Sequence, residues 1–357
     1  MRRLTILLAL LPALALPAPA VAARQVPRGW LGMNVGGPAF LPGVDLTAET
    51  GVMVNAGVES LRLPAFWNQI EPSPGGLDFS YLDRALAAAA ARRLPVMLTA
   101  VGTPGWAAIR RGDPRSPPRA ADYAAFVTVL VRRYGPGGAF WAAHPGLPAV
   151  PVREYQIWNE PPIRDYWSIQ PFAPGYVRLL RAAYLAIKRV DPGARVVLAG
   201  LANFSWVDLA RIYRAGGKRW FDVAAVHPYT SLVRNVVRII QLNRATMTRY
   251  HDSRTPIVVG ELSWSSGLGH VRQNQGFLAL TERGQAARIS QALPALAAVR
   301  RRYRISQVFW FDWLSPPIGS PNAFDYSGLR RRQPDGTIVS KPALAAFRSA
   351  AARLEGR

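Results

Sequence analysis

The chain has 357 residues, 50% of them hydrophobic and 18% charged, with no cysteine and a formal net charge of +23. That length and apolar share allow a large core, in one big α/β domain or two modest ones, and exclude a chain disordered throughout. The absence of cysteine excludes disulfides, thiolate metal sites, a cysteine nucleophile and a lipid-modified cysteine.

The first residues, "MRRLTILLALLPALALPAPAVAA", carry two arginines, an apolar run from Leu4 to Leu16 and then small residues suited to cleavage near Ala22 or Ala23. This is the pattern of a secretory signal over residues 1–23, which would make the protein secreted, periplasmic or cell-surface. The run is short for a membrane span, and no later stretch reaches spanning length. Removing Arg2 and Arg3 from the +23 leaves +21 on a mature chain of residues 24–357. Only Lys188, Lys218 and Lys341 are lysines, and the arginines are scattered through the chain. That distribution fits a composition bias better than a nucleic-acid surface, which would gather its basic residues into a stripe.

From Trp30 onward, apolar strand-like runs alternate with stretches of helical length, the pattern of a parallel sheet covered by helices. The strand candidates are "WLGMNV" from Trp30, "ESLRLP" from Glu59, "PVMLTAV" from Pro95, "REYQIW" from Arg153, "RVVLAG" from Arg195, "FDVAAV" from Phe221, "PIVVGE" from Pro256 and "SQVFWF" from Ser306. Helical stretches between them include "SYLDRALAAAAARR", "PGYVRLLRAAYLAIKRV" and "TERGQAARISQALPALAAVRRR", with Ser80 and Thr281 as N-cap candidates for the first and last. Eight strand-helix units in this length predict a single-domain (β/α)8 barrel. A doubly wound sheet is the alternative, but "GMNVGGP" lacks the glycine spacing of a dinucleotide turn. Residues 102–119 and 314–327 read as long loops over the barrel mouth.

In such a barrel the active site gathers at the carboxyl ends of the strands. Glu160 closes the fourth strand and Glu261 the seventh. A carboxylate ending an apolar strand needs a reason, because an unpaired charge in the interior is costly. One glutamate alone is as well explained by an ion pair. Two of them facing each other across the mouth suit cleavage of a glycosidic bond, one protonating the leaving oxygen and the other attacking the anomeric carbon. Asn159 and Glu160 are chain neighbours, and neighbours on a regular strand face opposite ways. For both to face one ligand the strand must break register, so a bulge or bend is predicted at Trp158 to Glu160, with Pro161 and Pro162 stopping the strand.

"IWNEP" with Glu160, and a second glutamate ending the seventh strand in "PIVVGELSW", resemble the retaining glycoside hydrolases of clan A, and within it family 39 and the cellulase-like family 5 enzymes. "LRLPAFWNQIEPSPGGLDFSYLDRAL", "TPGW", "VAAVHPY" and "VFWFDW" extend the resemblance over nearly all of residues 24–357. It implies that Glu160 is the general acid and base and Glu261 the nucleophile. It further implies that Asn159 bonds the sugar 2-hydroxyl, that Arg62 holds Glu261 ionised, and that His227 and Tyr229 line the site beside the nucleophile. Trp106 and Trp310 are the favoured sugar platforms among the tryptophans near strand ends, which also include Trp67, Trp158 and Trp264. Burial as packing residues is the competing reading for each.

Asp312 and Glu71 read equally well as rim carboxylates or salt-bridge partners. Glu154 opens the fourth strand, where barrels place stabilising groups. The third strand offers only Thr99 and Thr103 where several clan members have a histidine, and the chain after the eighth strand is short for the β-sandwich found beside many family 39 barrels.

No HExxH-like spacing relates His144, His251 and His270, so neither a metal nor another cofactor is expected. No GxSxG elbow is present. The expected partner is a carbohydrate substrate. Arg110, Arg111, Arg115, Arg119 and Arg164 raise the prospect of an acidic glycan. No nucleic-acid partner and no membrane span after signal cleavage are expected, and the chain is expected to act as a monomer. Two readings stay open: an exported retaining glycosidase, and a carbohydrate-binding barrel without catalysis at the cell surface.

Overall fold

The computed structural model describes residues 23–202 and 204–357. The signal segment at residues 1–22 lies outside the described residues. The rest forms a (β/α)8 barrel, as the alternation predicts. Its strands are β1 (Leu31–Asn34), β2 (Ser60–Phe66), β3 (Val96–Val101), β4 (Glu154–Ile157), β5 (Arg195–Val197), β6 (Leu201–Ala202), β7 (Ala224–His227), β8 (Ile257–Leu262) and β9 (Ile305–Trp310). Their hydrogen-bonded order is β5-β4-β3-β2-β1-β9-β8-β7-β6, with every pair parallel.

Nine strands arise from eight units because the expected fifth strand is interrupted. β5 pairs with β4 and β6 pairs with β7. Bridges Val197↔Val223 and Asn159↔Gly200 span the interruption and close the ring. The seventh unit's strand is therefore β8 and the eighth's is β9.

Strands covered on both faces need apolar side chains at nearly every position. β8 accordingly reads "IVVGEL", all buried, and β3 reads "VMLTAV", buried except its last residue. Inside the barrel Met97, Val197, Val223, Ala225, Val258 and Phe309 pack as a separate apolar cluster. Gly32 on β1 makes room for it, since a Cβ there would sit 2.3 Å from the Phe309 ring. The interior is thus a packed plug, and the site sits above it.

Helices Ser80–Ala91, Phe172–Val190 and Glu282–Tyr303 fall on the predicted stretches. Thr281 caps the last, its side chain accepting from the Gly284 amide. The Ser80 cap is displaced: Ser80 is already the first helical residue, and the Asp78 carboxylate two residues earlier accepts its N–H at 2.8 Å. Glu154 opens β4 in an ion pair with Arg195 at 2.8 Å, the stabilising role expected there. After β9 the chain adds a small sheet, β10 (Leu314–Ser315), β11 (Arg330–Arg332) and β12 (Ile338–Ser340), before its closing helix Pro342–Glu355. No described helix is long and apolar enough to cross a membrane.

Candidate active site

The break predicted at the end of β4 is present. Trp158 and Glu160 both adopt left-handed backbone, at φ 70° and 44°. Non-glycine residues enter that region at a steric cost, and only where the surroundings impose it. Here Trp158 is pinned by its amide to Ala100 O (3.1 Å) and by edge-on packing against Trp167 and Tyr123. The Glu160 amide donates to Gly200 O at 3.1 Å. The result is that the adjacent Asn159 and Glu160 line the same cavity.

That cavity, of about 380 Å³, opens at the carboxyl ends of the strands. It brings together Arg62, Asn159, Glu160, Tyr229 and Glu261 from four of the eight units. Arg62 is the hub. Its Nη1 donates to Glu261 Oε1 (2.8 Å) and Asn34 Oδ1 (2.6 Å), its Nη2 to Asn159 Oδ1 (3.0 Å) and its Nε to Gln156 Oε1 (2.9 Å). A guanidinium only donates, so it fixes which face of Asn159 meets it and turns the amide nitrogen away. Tyr229 donates its hydroxyl to Glu261 Oε2 at 2.9 Å.

His227 is fully buried beneath the two carboxylates, its Nδ1 2.8 Å from Glu160 Oε1 and 3.5 Å from Glu261 Oε2. Its Nε2 has no partner among the described residues. The ring fits only because Gly200 and Gly260 flank it: a Cβ at Gly200 would lie 1.9 Å from Nε2, and one at Gly260 3.0 Å.

The electrostatics split the glutamate pair. Burial raises Glu160 above the usual carboxylate range, and the negative Glu261 adds to that, while His227 and Arg62 offset it only in part. Burial would raise Glu261 as well, but His227, Arg62 and the Tyr229 hydroxyl outweigh it and hold Glu261 below its ordinary value. One carboxylate oxygen of each glutamate and a His227 nitrogen all lie within 4.8 Å of one another. Such a trio could grip a cation, but Arg62, bonded to Glu261 at 2.8 Å, already supplies the positive charge a metal would bring. One carboxyl raised and its neighbour lowered, with oxygens this close, is a pairing that can serve as proton donor and nucleophile at one centre.

Trp310 is not a platform: it is 1% exposed, donates Nε1–H to Ser327 O at 3.2 Å and lies outside the cavity lining. Trp106 also lies outside, its edge against Trp67 and its Nε1–H on Glu71 O. Trp67, Trp158 and Trp264 are buried too. A large ring immediately after a parallel strand falls between barrel and helices, where burial of its area is worth more than a solvated rim. The exposed aromatic faces come instead from Phe66, Tyr166, Tyr229, Phe311 and Phe324. Sequence reasoning also missed Asn34 and Gln156, which clamp Arg62, and Gly200, which admits His227. The first two sit on inward strand positions beside Arg62, a signal available once register is known. Gly200 gave none. Glu71 accepts from Trp67 Nε1 and the Gly75 amide, with no ion pair among the described residues, and Asp312 faces the cavity.

The family model described as glycoside hydrolase 42, beta-galactosidase, matches residues 44–117, which carry β2 and β3. No curated protein matches the chain in sequence. Solved structures match over nearly all of it. A family 39 glycoside hydrolase from Bacteroides cellulosilyticus WH2 has 17% identity and a TM-score of 0.64, over 92% of this chain and 64% of that one. A monomeric beta-xylosidase from Caulobacter crescentus CB15 has 17% identity and a TM-score of 0.61, over 92% and 69%. A GH5_18 protein from Streptomyces cattleya, crystallised with Manβ1-4GlcNAc, has 17% identity and a TM-score of 0.65, over 91% and 80%. At these identities the likeness establishes the fold, that of the clan A glycoside hydrolase barrels. The chain spans less than two thirds of the length of the Bacteroides protein.

Proposed function

We propose that the protein is an exported retaining glycoside hydrolase acting on a poly- or oligosaccharide. The observation that carries this reading is the split pair: two buried glutamates from opposite sides of the barrel, with oxygens within 4.8 Å, one raised and one lowered in acidity. Two carboxylates whose environments push their pKa values apart assign themselves as acid and nucleophile. Export rests on the leader-like residues 1–23.

In the first step Glu261, held ionised by Arg62 and Tyr229, attacks the anomeric carbon while Glu160 gives its proton to the leaving oxygen. The products are a glycosyl ester on Glu261 and a carboxylate at Glu160. In the second, Glu160 takes a proton from water as that water attacks the same carbon, which frees Glu261 and restores the starting protonation. Asn159 contributes its amide nitrogen, turned from Arg62, to the 2-hydroxyl, a contact that strengthens in the transition state.

Glu160→Gln and Glu261→Gln should each abolish hydrolysis with the thermal midpoint preserved. A 2-deoxy-2-fluoro glycoside of a cleaved sugar should add its glycosyl mass to the peptide containing Glu261. Full activity in either variant, or a label on another residue, would rule the assignment out.

A further inference from the structure

In a chain with 44 basic and 21 acidic residues, the catalytic cavity reverses the balance. Its lining holds four carboxyl groups, Glu160, Glu261, Asp312 and Asp325, and one cation, Arg62. Arg62 makes four hydrogen bonds, to Glu261, Asn34, Asn159 and Gln156, and its charge is paired with Glu261. The arginines that suggested an acidic glycan are elsewhere: Arg110, Arg111, Arg115, Arg119 and Arg164 are exposed and none lines the cavity. Arg115 and Arg119 are occupied by Asp113, Asp165 and Asp122.

Asp312 stands out among the four. It is 9% exposed and makes no ion pair among the described residues. Oδ1 accepts the Trp313 amide at 2.5 Å, the only hydrogen bond to this side chain among the described residues. Burial without a counterion, and the negative Glu261, raise it well above the ordinary range. A carboxyl so buried, and opening on the cavity with unused capacity, is a group awaiting a donor from the ligand. At the rim, Asp325 takes only the Ser320 hydroxyl. A sugar bearing a carboxylate or sulfate would meet the ionised Glu261 and the rim carboxyl of Asp325, where the one lining cation, Arg62, is already paired with Glu261, and like charges juxtaposed there cost several kcal/mol.

We infer that Asp312 is a specificity-determining residue and that the sugar held in the cavity is neutral or amine-bearing, with uronic and sulfated sugars excluded. This rests on the glycosidase reading above and refines it. Asp312 would accept a hydroxyl or ammonium hydrogen from the sugar, while Asp325 keeps anions from the mouth.

The test is a polymer panel: xylan, mannan, cellulose oligomers, chitosan, polygalacturonate, alginate and a sulfated galactan. Each is offered to the wild-type protein for turnover, and to Glu160→Gln for binding. Turnover or binding confined to the neutral and amine-bearing members supports the inference. So does a KM rise of about tenfold or more in Asp312→Ala on the cleaved substrate, with kcat changed much less, the scale of one hydrogen bond. Preference for the uronate or sulfated polymers overturns it, as does an Asp312→Ala protein with unaltered KM. Binding of no polymer by Glu160→Gln also counts against it. The two claims fail differently: a fluorosugar adduct on Glu261 with an anionic substrate sinks only the charge assignment, whereas neutral glycans bound but never cleaved sink only the catalytic reading.

Discussion

Gly200 offers a sharp perturbation, because one methyl group acts on the acid through a single neighbour. Its φ is not in the left-handed region, so alanine meets no backbone penalty and the effect is purely one of space. The new Cβ would lie 1.9 Å from His227 Nε2 and 2.2 Å from Cε1, where real Cβ contacts do not fall below 3.0 Å. The neighbouring Gly200 backbone is tied to Glu160 through the 3.1 Å amide bond, so the imidazole is what must move. His227 has little room, with Gly260 on its other face and Nδ1 only 2.8 Å from Glu160. A shift that clears the methyl removes that bond, worth about 1.5–3 kcal/mol when one partner is charged. Displacement of catalytic geometry by ~1 Å costs on the order of a hundredfold in rate. We therefore expect Gly200→Ala to lower kcat by roughly a hundredfold, with a stability loss of about 1–3 kcal/mol from overpacking. The assay is steady-state turnover beside thermal unfolding, with Gly146→Ala as control, since a Cβ at that exposed glycine meets nothing within 4 Å. A folded Gly200→Ala protein within threefold of wild-type kcat would refute the argument that His227 holds Glu160 in place.

Activity should be bell-shaped in pH, the acid limb following ionisation of Glu261 and the alkaline limb deprotonation of Glu160. Arg62→Met removes the cation that helps keep Glu261 low, so its acid limb should move to higher pH in a kcat/KM profile; an unmoved limb would contradict the role. The same change strands a buried carboxylate and should cost about 3–5 kcal/mol in denaturant unfolding. Trp106→Ala, outside the cavity, should lower the thermal midpoint while leaving KM within twofold; a large KM rise would restore the ring as a sugar platform. Lys341 is buried, donates to Tyr326 O at 2.9 Å, and is lowered from 10.5 to about 7 by burial and by nearby Arg331. Between those values the unfolded chain binds a proton that the folded one does not, so this residue makes stability rise from about pH 7 to pH 10.5, by up to ~1.4 kcal/mol per unit. Urea unfolding at pH 7, 8 and 9 should show that slope reduced in Lys341→Met, and equal slopes would dismiss it.

What could be read in the sequence was what period and strand ends encode. The alternation of apolar runs and helical stretches gave all eight units, and the polar residue closing each strand placed Glu160 and Glu261 at the mouth. What escaped depends on three-dimensional register. The aromatics were mistaken because Trp310 and Phe311 are adjacent, and only the strand's pleat decides which ring enters the core and which the cavity. The fifth strand reads as one run, "RVVLAG", yet β5 ends at Val197 and the strand resumes only as β6 at Leu201, with Gly200 between them set against His227, a partner 27 positions later in the chain. The arginines show a related limit: Arg110 and Arg164 flank strand ends in the sequence but are exposed and lie outside the cavity lining.

The break at β4 and the interruption between β5 and β6 are one structural event. If β4 ran on regularly, Asn159 and Glu160 would face opposite ways, one toward the cavity and the other into the helical layer. Turning both inward requires left-handed backbone at Trp158 and Glu160, a cost of order 1–3 kcal/mol each. It also moves the Glu160 amide out of line with a continuous fifth strand. Gly200 is where the neighbour adapts: it pairs with Asn159, receives the Glu160 amide and, lacking a side chain, leaves the space that His227 fills under the Glu160 carboxyl. The strain is held by Trp158, whose ring is wedged between Tyr123 and Trp167 with its Nε1–H on Tyr166 O. This explains why an aromatic residue precedes Asn159 without touching the cavity: its packing keeps both neighbours turned inward.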